Sequence, residues 1–254
     1  PLLSEEVNPY ILGFLLWILP TMTIIFSAGF LDRYSWLRAS PQLTVALRLA
    51  GLAMLVTGGL FSAFQRHLAR IMAYGAIAET GFSILALSLD PRLGIPILFL
   101  LIPARALGLA VWSLSVTVIK EQVKTMRFGA ARGLIRMLPF AGTGMIIATL
   151  STSAFPLLAG FPARLALWEG LARESIVSAL WMAIGIIGLL ISAFRSLAVI
   201  SMAEEYTSWE PRESFPQRLM LGLGVIGLFV LGVFPQGIQF FLANLPLMFE
   251  HLGR

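Results

Sequence analysis

Long apolar stretches separated by short polar loops dominate the hydrophobic pattern of the chain. Several stretches exceed the roughly 18 apolar residues needed to cross a hydrocarbon core about 30 Å thick. The pattern predicts about seven transmembrane helices, at residues 10–31, 43–64, 69–89, 93–119, 134–158, 177–202 and 218–249. We therefore expect one all-α integral membrane domain covering residues 1–254, with the lipid bilayer as its solvent.

Prolines interrupt one of these predicted spans. Phe155-Pro156 and Gly160-Phe161-Pro162 place two prolines and a glycine within eight residues of an apolar stretch. Proline removes a backbone donor and breaks a helix, and the next segment, 163–174, is too short to cross alone. We predict one discontinuous helix, 134–158 plus 163–174, broken at Pro156, Gly160 and Pro162. Broken helices at membrane depth mark candidate ion or substrate sites.

Composition and charge agree with a membrane protein. Hydrophobic residues make up 58% of the chain and charged residues 12%, about half the usual charged share. The net charge of +5 lies mainly in short loops, a distribution that sets membrane topology, so we expect no nucleic-acid partner. Nine basic residues share one predicted side, which we expect to be cytoplasmic: Arg66, Arg70, Lys120, Lys124, Arg127, Arg132, Arg136, Arg212 and Arg218. We predict a multi-pass protein of the bacterial inner membrane with a cytoplasmic N-terminus and an external C-terminus.

The residues that usually carry redox or hydrolytic chemistry are scarce. Without cysteine, the chain cannot hold an iron–sulfur cluster through thiolates. Both histidines, His67 and His251, lie outside the predicted spans, and no phosphate-binding loop or zinc spacing is present. We expect no catalytic residue, no metal site and no cofactor in this chain.

Two ionisable residues lie near the middle of predicted spans. Glu79 is central in the third span and Arg105 in the fourth. A charge near the bilayer centre costs at least about 2–3 kcal/mol on insertion scales, so each calls for a reason. If both point inward at similar depth, an ion pair between them is one arrangement that the sequence allows. A static ion pair and a titrating carboxylate that exchanges protons both remain open.

Three charged residues follow the predicted helix break. Arg164 lies where the helix resumes, so it is placed to bond backbone carbonyls left open by the break, either as a cap or as part of an ion path. Glu169 and Arg173 are four residues apart, which places them on one helix face. The candidate ion-path residues are therefore Glu79, Arg105, Arg164 and Glu169.

Two motifs resemble those of a known family. Residues 65–82, QRHLARIMAYGAIAETGF, resemble the motif Q-x-D-hydrophobic-K-R-hydrophobic-hydrophobic-A-Y-S-S-I-x-x-x-G-aromatic. Residues 150–164, LSTSAFPLLAGFPAR, resemble L-A-G-x-P-x-L-x-G-F-x-x-K. Both belong to the antiporter-like membrane subunits of respiratory complex I (NADH:quinone oxidoreductase) and of related multisubunit sodium/proton antiporters.

The resemblance implies a fold and a set of partners. The family fold has two inverted five-helix repeats, and this chain resembles the second, with one helix before and one after it. The implied partners are other membrane-arm subunits and a separate chain that supplies the missing N-terminal repeat. The implied role is that of a non-redox subunit in a translocating complex, the ion being either a proton or sodium.

The chain departs from the family pattern at the membrane-embedded lysines that relay protons in the family. Arg164 stands in place of the embedded lysine of the second motif, and Leu107 stands where the family's H-A-x-x-K-A places another. Arginine stays protonated in proteins, so Arg164 supplies fixed charge and releases no proton. This favours a shortened, divergent subunit with a scaffolding or degenerate ion-path role. The alternative is a stand-alone secondary ion or solute transporter acting as an oligomer.

Overall fold

The described part of the chain is helical. The computed structural model describes residues 7–123, 125–202, 211–242, 244–249 and 251–252. Its helices are α1 (Pro9–Arg33), α2 (Ser35–Arg38), α3 (Pro41–Phe64), α4 (Leu68–Leu87), α5 (Pro91–Gln122), α6 (Leu134–Met137), α7 (Pro139–Thr152), α8 (Gly160–Glu174), α9 (Ile176–Ser201), α10 (Phe215–Val233) and α11 (Pro235–Leu242), followed by a 3-10 helix at Leu245–Met248. The predicted all-α membrane fold is confirmed.

Local sequence sets where the long helices begin. Proline occupies the first turn of α1, α3, α5, α7 and α10, where its missing N–H has no intrahelical partner to lose. Side chains cap three of these starts: the amide of Asn8 accepts from Tyr10 N at 3.0 Å, the carboxylate of Asp90 accepts from Arg92 N at 2.9 Å, and Oε1 of Gln217 accepts from Ser214 N at 2.9 Å. The polar loops therefore direct the chain into each apolar helix.

Five described helices, α1, α3, α5, α9 and α10, are long and apolar enough to cross a bilayer. Helix α4 is not among them, although it is 20 residues long. It packs against α3 and α5 inside the bundle, so small and polar residues replace lipid-facing ones. The fifth predicted span is divided between α7 and α8. The count of seven crossings stays a prediction.

Two predicted boundaries are corrected by the structure. The helix break covers residues 153–159, and α8 already begins at Gly160, earlier than the predicted 163. The last predicted span, 218–249, is continuous only as far as Val233. Phe234 leaves helical geometry because it precedes Pro235, and a following proline disfavours the α conformation.

Connections rich in arginine meet at one end of the bundle. Leu68 N donates to Met126 O and Phe128 N donates to Arg66 O, both at 2.9 Å. These bonds join the loop before α4 to the loop after α5. We call the end of the bundle that carries Arg66, Arg70, Arg127 and Arg132 the basic end. Lys124 and residues 203–210, which belong to the predicted basic loops, lie outside the described residues.

Glycine allows α3 and α9 to approach closely. A Cβ atom added at Gly59 would lie 2.1 Å from the carbonyl oxygen of Gly185, and one at Gly188 would lie 2.5 Å from the carbonyl carbon of Gly59. Small residues of this kind let helices pack closely in membranes, where apolar surface alone gives little driving force for association. The α3–α9 contact therefore depends on the missing side chains.

We expect Gly59→Ala to lower the stability of the protein by about 1–3 kcal/mol, because the added methyl group overpacks a backbone contact. The matched control is Gly108→Ala in α5, where an added Cβ meets nothing within 4 Å; this change should be neutral or stabilising. Thermal unfolding of the purified protein in detergent measures both. Equal melting temperatures for the two variants would contradict the packing argument.

Candidate functional site

The break between α7 and α8 has an unusual backbone. Residues 153–159 leave helical geometry around Pro156, which lacks the N–H needed to continue α7. Ala154 and Leu157 adopt positive φ angles of 58° and 69°, a region that non-glycine residues seldom occupy and that is associated with functional sites. Non-helical backbone at membrane depth persists only where protein or a hydrated cavity satisfies its polar groups.

Polar groups at the break are satisfied by nearby residues. Leu150 O accepts from Phe155 N at 3.1 Å, and Ser151 Oγ accepts from Gly160 N at 3.2 Å. The carbonyl of Ser151, one of the last in α7, accepts from Nη1 of Arg164. Arg164 therefore closes the break by bonding a helix-end carbonyl, as its position in the sequence suggested.

Arg164 also forms a buried ion pair with Glu79. Its Nη2 donates to Oε1 of Glu79, which lies in the middle of α4. Arg164 is 2% exposed and Glu79 is 4% exposed. The guanidinium carbon lies 4.7 Å from the centroid of the Phe82 ring, within cation–π range. One arginine thus links the broken helix to the central helix.

Gly160 and Pro162 lie inside α8, whereas the sequence had placed them in the break. A Cβ atom at Gly160 would lie 1.6 Å from Nη1 of Arg164 and 2.1 Å from the carbonyl oxygen of Ser151. Glycine is therefore required for the guanidinium to reach that carbonyl. Pro162 is tolerated because the first turn of a helix has unbonded N–H groups.

Arg105 does not form the ion pair with Glu79 that the sequence allows. Its Nη2 donates to Leu16 O and to Thr80 Oγ1, each at 2.9 Å. Leu16 O needs a donor because Pro20, four residues later in α1, has no N–H to bond it. Pro20 was the sequence signal for this contact. Arg105 thus fills a backbone opening that a proline creates.

Positive charge exceeds negative charge in this cluster. Arg105 and Arg164 are both buried, and Glu79 is the one carboxylate joined to them by the described ion pairs. Nε and Nη1 of Arg105 and Nε of Arg164 are buried and have no hydrogen-bond partner among the described residues. The cluster therefore holds two buried guanidinium groups and one carboxylate.

The remaining candidate, Glu169, lies away from the cluster. Its side chain and that of Arg173 are exposed on α8, so the helix turns this face outward while Arg164 and Leu167 face inward. The four-residue spacing of Glu169 and Arg173 predicted that they share a helix face. It could not predict whether that face points inward or outward. Leu107, at the family's lysine position, lines an apolar pocket together with Trp17 and Leu231 and offers no titrating group.

Residues 4–192 match the family described as NADH:quinone oxidoreductase/Mrp antiporter, TM. The chain belongs to this family. The expectation drawn from the two motifs is therefore confirmed, and the buried pair of Glu79 and Arg164 lies within the matched region.

Curated relatives include subunits of a respiratory enzyme. The chain is 30% identical over 226 residues to NADH-quinone oxidoreductase subunit 14 of Thermus thermophilus, an alignment covering 85% of this chain and 50% of that protein. It is 24% identical over 222 residues to NADH-quinone oxidoreductase subunit N of Dehalococcoides mccartyi, covering 84% of this chain and 44% of the relative. The chain spans about half the length of the curated relatives it matches.

Solved structures share the fold. A chain of the archaeal membrane-bound sulfane sulfur reductase superposes with a TM-score of 0.86 at 17% identity, covering 95% of this chain and 50% of that chain. A chain of the Mrp complex from Dietzia sp. gives a TM-score of 0.78 at 15% identity, covering 92% and 52%. A chain of respiratory complex I from Thermus thermophilus gives 0.73 at 21% identity, covering 84% and 45%. These likenesses establish the antiporter-like helical fold.

Removing one partner of the buried pair should be strongly destabilising. Arg164→Leu leaves the Glu79 carboxylate buried without its partner, so we expect a loss of about 3–5 kcal/mol. The double change Glu79→Leu/Arg164→Leu should recover part of that loss. Unfolding of the purified protein in detergent measures the stability of each variant.

The control for these variants of the buried pair is Arg48→Leu. Arg48 pairs with Glu174, and the two side chains are 19% and 35% exposed, so its loss should cost only about 0–1 kcal/mol. If Arg164→Leu were no worse than Arg48→Leu, the buried pair would not hold the break in place.

Proposed function

We propose that this chain is an antiporter-like membrane subunit of a multisubunit, complex I-like ion-translocating assembly. Support comes from the family match over residues 4–192 and from relatives named as subunits of NADH-quinone oxidoreductase. Three structures with the same fold are chains of membrane complexes. In this assembly we propose that the chain is a non-redox subunit.

The observation that carries the proposed role is the bonding of Arg164. This arginine is bonded to Ser151 O and to Glu79 at once, so it acts as a fixed structural charge at the helix break. A relay lysine works because burial brings its proton affinity near neutrality, whereas arginine keeps its proton. We propose that the chain scaffolds and seals the membrane arm, with a degenerate ion path at the cluster of Glu79, Arg105 and Arg164.

Partner subunits are a further part of the proposal. The chain corresponds to about half of each curated relative, and the family fold has two repeats. We propose that a separate chain supplies the first repeat and that other membrane-arm subunits cover the remaining apolar surface. This surface includes much of α1 and α10. In the apolar 18-residue segments of these two helices, 28% and 11% of the residues are buried.

The basic end supports a proposal for how the chain is oriented in the membrane. The arginine-rich loops around Arg66 and Arg127 are hydrogen-bonded to each other, so they lie on one side of the membrane. Because positively charged loops favour the cytoplasm, we propose that the basic end is cytoplasmic in a bacterial inner membrane. An N-terminus on that side and a C-terminus outside complete the proposed topology.

Co-purification tests the proposed assembly. We expect the tagged chain, extracted in mild detergent from its native membrane, to retain other antiporter-like subunits and iron–sulfur or hydrogenase-like proteins, identified by mass spectrometry. A matched extraction of the untagged strain controls for adhesion to the resin. Recovery of the chain alone or as a homo-oligomer would contradict the proposal and support a stand-alone transporter.

Changing Glu79→Gln separates a scaffold from an active ion path. We expect less assembled complex, because two buried arginines lose their carboxylate, but an unchanged number of ions moved per electron in the complex that remains. Native gel electrophoresis measures assembly, and ion uptake into membrane vesicles measures pumping.

Glu169→Gln is the matched control, since it removes an exposed carboxylate from α8 and should affect neither quantity. If Glu79→Gln lowered the ion-to-electron ratio while the amount of complex stayed normal, the scaffolding role would be wrong and Glu79 would belong to a working path.

A further inference from the structure

A strongly basic cavity lies at the basic end, away from the buried ion pair. It has a volume of about 670 Å³ and is lined by the ends of α3 and α9, the start of α4 and the loop after α5. Its charged lining consists of Arg66, Arg70, Arg127 and Arg132, together with His67. None of the described lining residues is acidic. So much positive charge in one cavity favours an anionic ligand.

Three of these arginines are available to a ligand. Arg66, Arg127 and Arg132 are exposed, and their side chains make no hydrogen bond or ion pair with another residue in the described ranges. A further positive charge lies behind the cavity wall, since the guanidinium carbon of Arg195 is 5.6 Å from the centroid of the Phe128 ring. Like charges repel, and an anion bound among them removes that cost.

The backbone holds the cavity open before any ligand arrives. Leu68 N donates to Met126 O and Phe128 N donates to Arg66 O, each at 2.9 Å, on either side of the antiparallel bridge between His67 and Arg127. These bonds fix the two arginine-bearing loops relative to each other. A site built in advance loses less conformational freedom on binding.

Apolar surface borders the cavity on the side of α3 and α9. Phe64 and Met202 line the cavity and are 77% and 52% exposed. Farther along the same helices Phe61 and Phe194 are exposed as well. In a membrane protein such faces contact acyl chains, so the cavity opens where the hydrocarbon surface ends. A freely dissolved anion would gain nothing from this apolar border.

We propose that the cavity binds the phosphate headgroup of an anionic phospholipid. The phosphate is bonded by Arg66, Arg127 and Arg132, because guanidinium forks match phosphate oxygens. The acyl chains lie along the exposed apolar faces of α3 and α9. Basic pockets between membrane helices are suited to such headgroups. The site does not require the chain to translocate ions.

The test measures lipid retention on the full chain, purified in mild detergent with the proteins that it retains. Delipidated samples are titrated with phosphatidylglycerol or phosphatidylcholine and examined by native mass spectrometry. We expect wild type to prefer phosphatidylglycerol, and Arg66→Gln/Arg127→Gln to bind it about tenfold more weakly or worse, since each basic residue near a membrane surface adds measurably to anionic-lipid affinity. Arg132→Gln serves as a second variant if the double variant does not fold.

The matched control is Arg33→Gln/Arg218→Gln, which removes the same charge from exposed positions outside the cavity. An equal loss of phosphatidylglycerol in the control, or no loss in the cavity variant, would overturn the proposal. So would displacement of the lipid by millimolar inorganic phosphate, which would indicate a site for a free anion.

A photo-crosslinking residue at Gly129, which lines the cavity and is exposed, identifies the occupant in native membranes. Crosslinks to phospholipid support the proposal. Crosslinks to an acidic segment of another protein would overturn it in favour of a protein interface.

Discussion

The bond between Arg164 and the Ser151 carbonyl is the contact on which the broken helix depends. Within a bilayer no water is at hand to satisfy a carbonyl released by a helix break. The Ser151 carbonyl accepts from Ala154 N at 3.3 Å and from Arg164, but the guanidinium brings a charge that is itself costly to bury, and Glu79 offsets that charge from α4. The missing side chain of Gly160 leaves the space for this arrangement.

A second arginine repeats the same physical solution. Pro20 interrupts the hydrogen bonds of α1 and frees Leu16 O, which Arg105 binds from α5. Both arginines therefore bond carbonyls in helices that a proline interrupts or follows. Each guanidinium therefore joins helices, since Arg105 links α5 to α1 and Arg164 links α8 to α7 and α4.

Chain topology places the ion pair and the basic cavity in different surroundings. The pair lies between α4 and α8 in the interior, where low dielectric strengthens charge interactions and desolvation penalises unpaired ones. The cavity lies at the basic end, where exposed arginines border apolar surface. The first arrangement suits a permanent internal contact, and the second suits a ligand drawn from the membrane surface.

Sequence alone determined the membrane class, the all-α fold, the break near Pro156 and the grouping of basic loops, because lipid requires long apolar helices and proline stops them. It also placed Arg164 where it can bond a carbonyl at the helix break. Only the tertiary structure decided that Glu79 pairs with Arg164 and not with Arg105, and that Glu169 faces outward. Position along a helix gives the depth of a side chain in the membrane, whereas its direction depends on how the helix is rotated by packing against its neighbours.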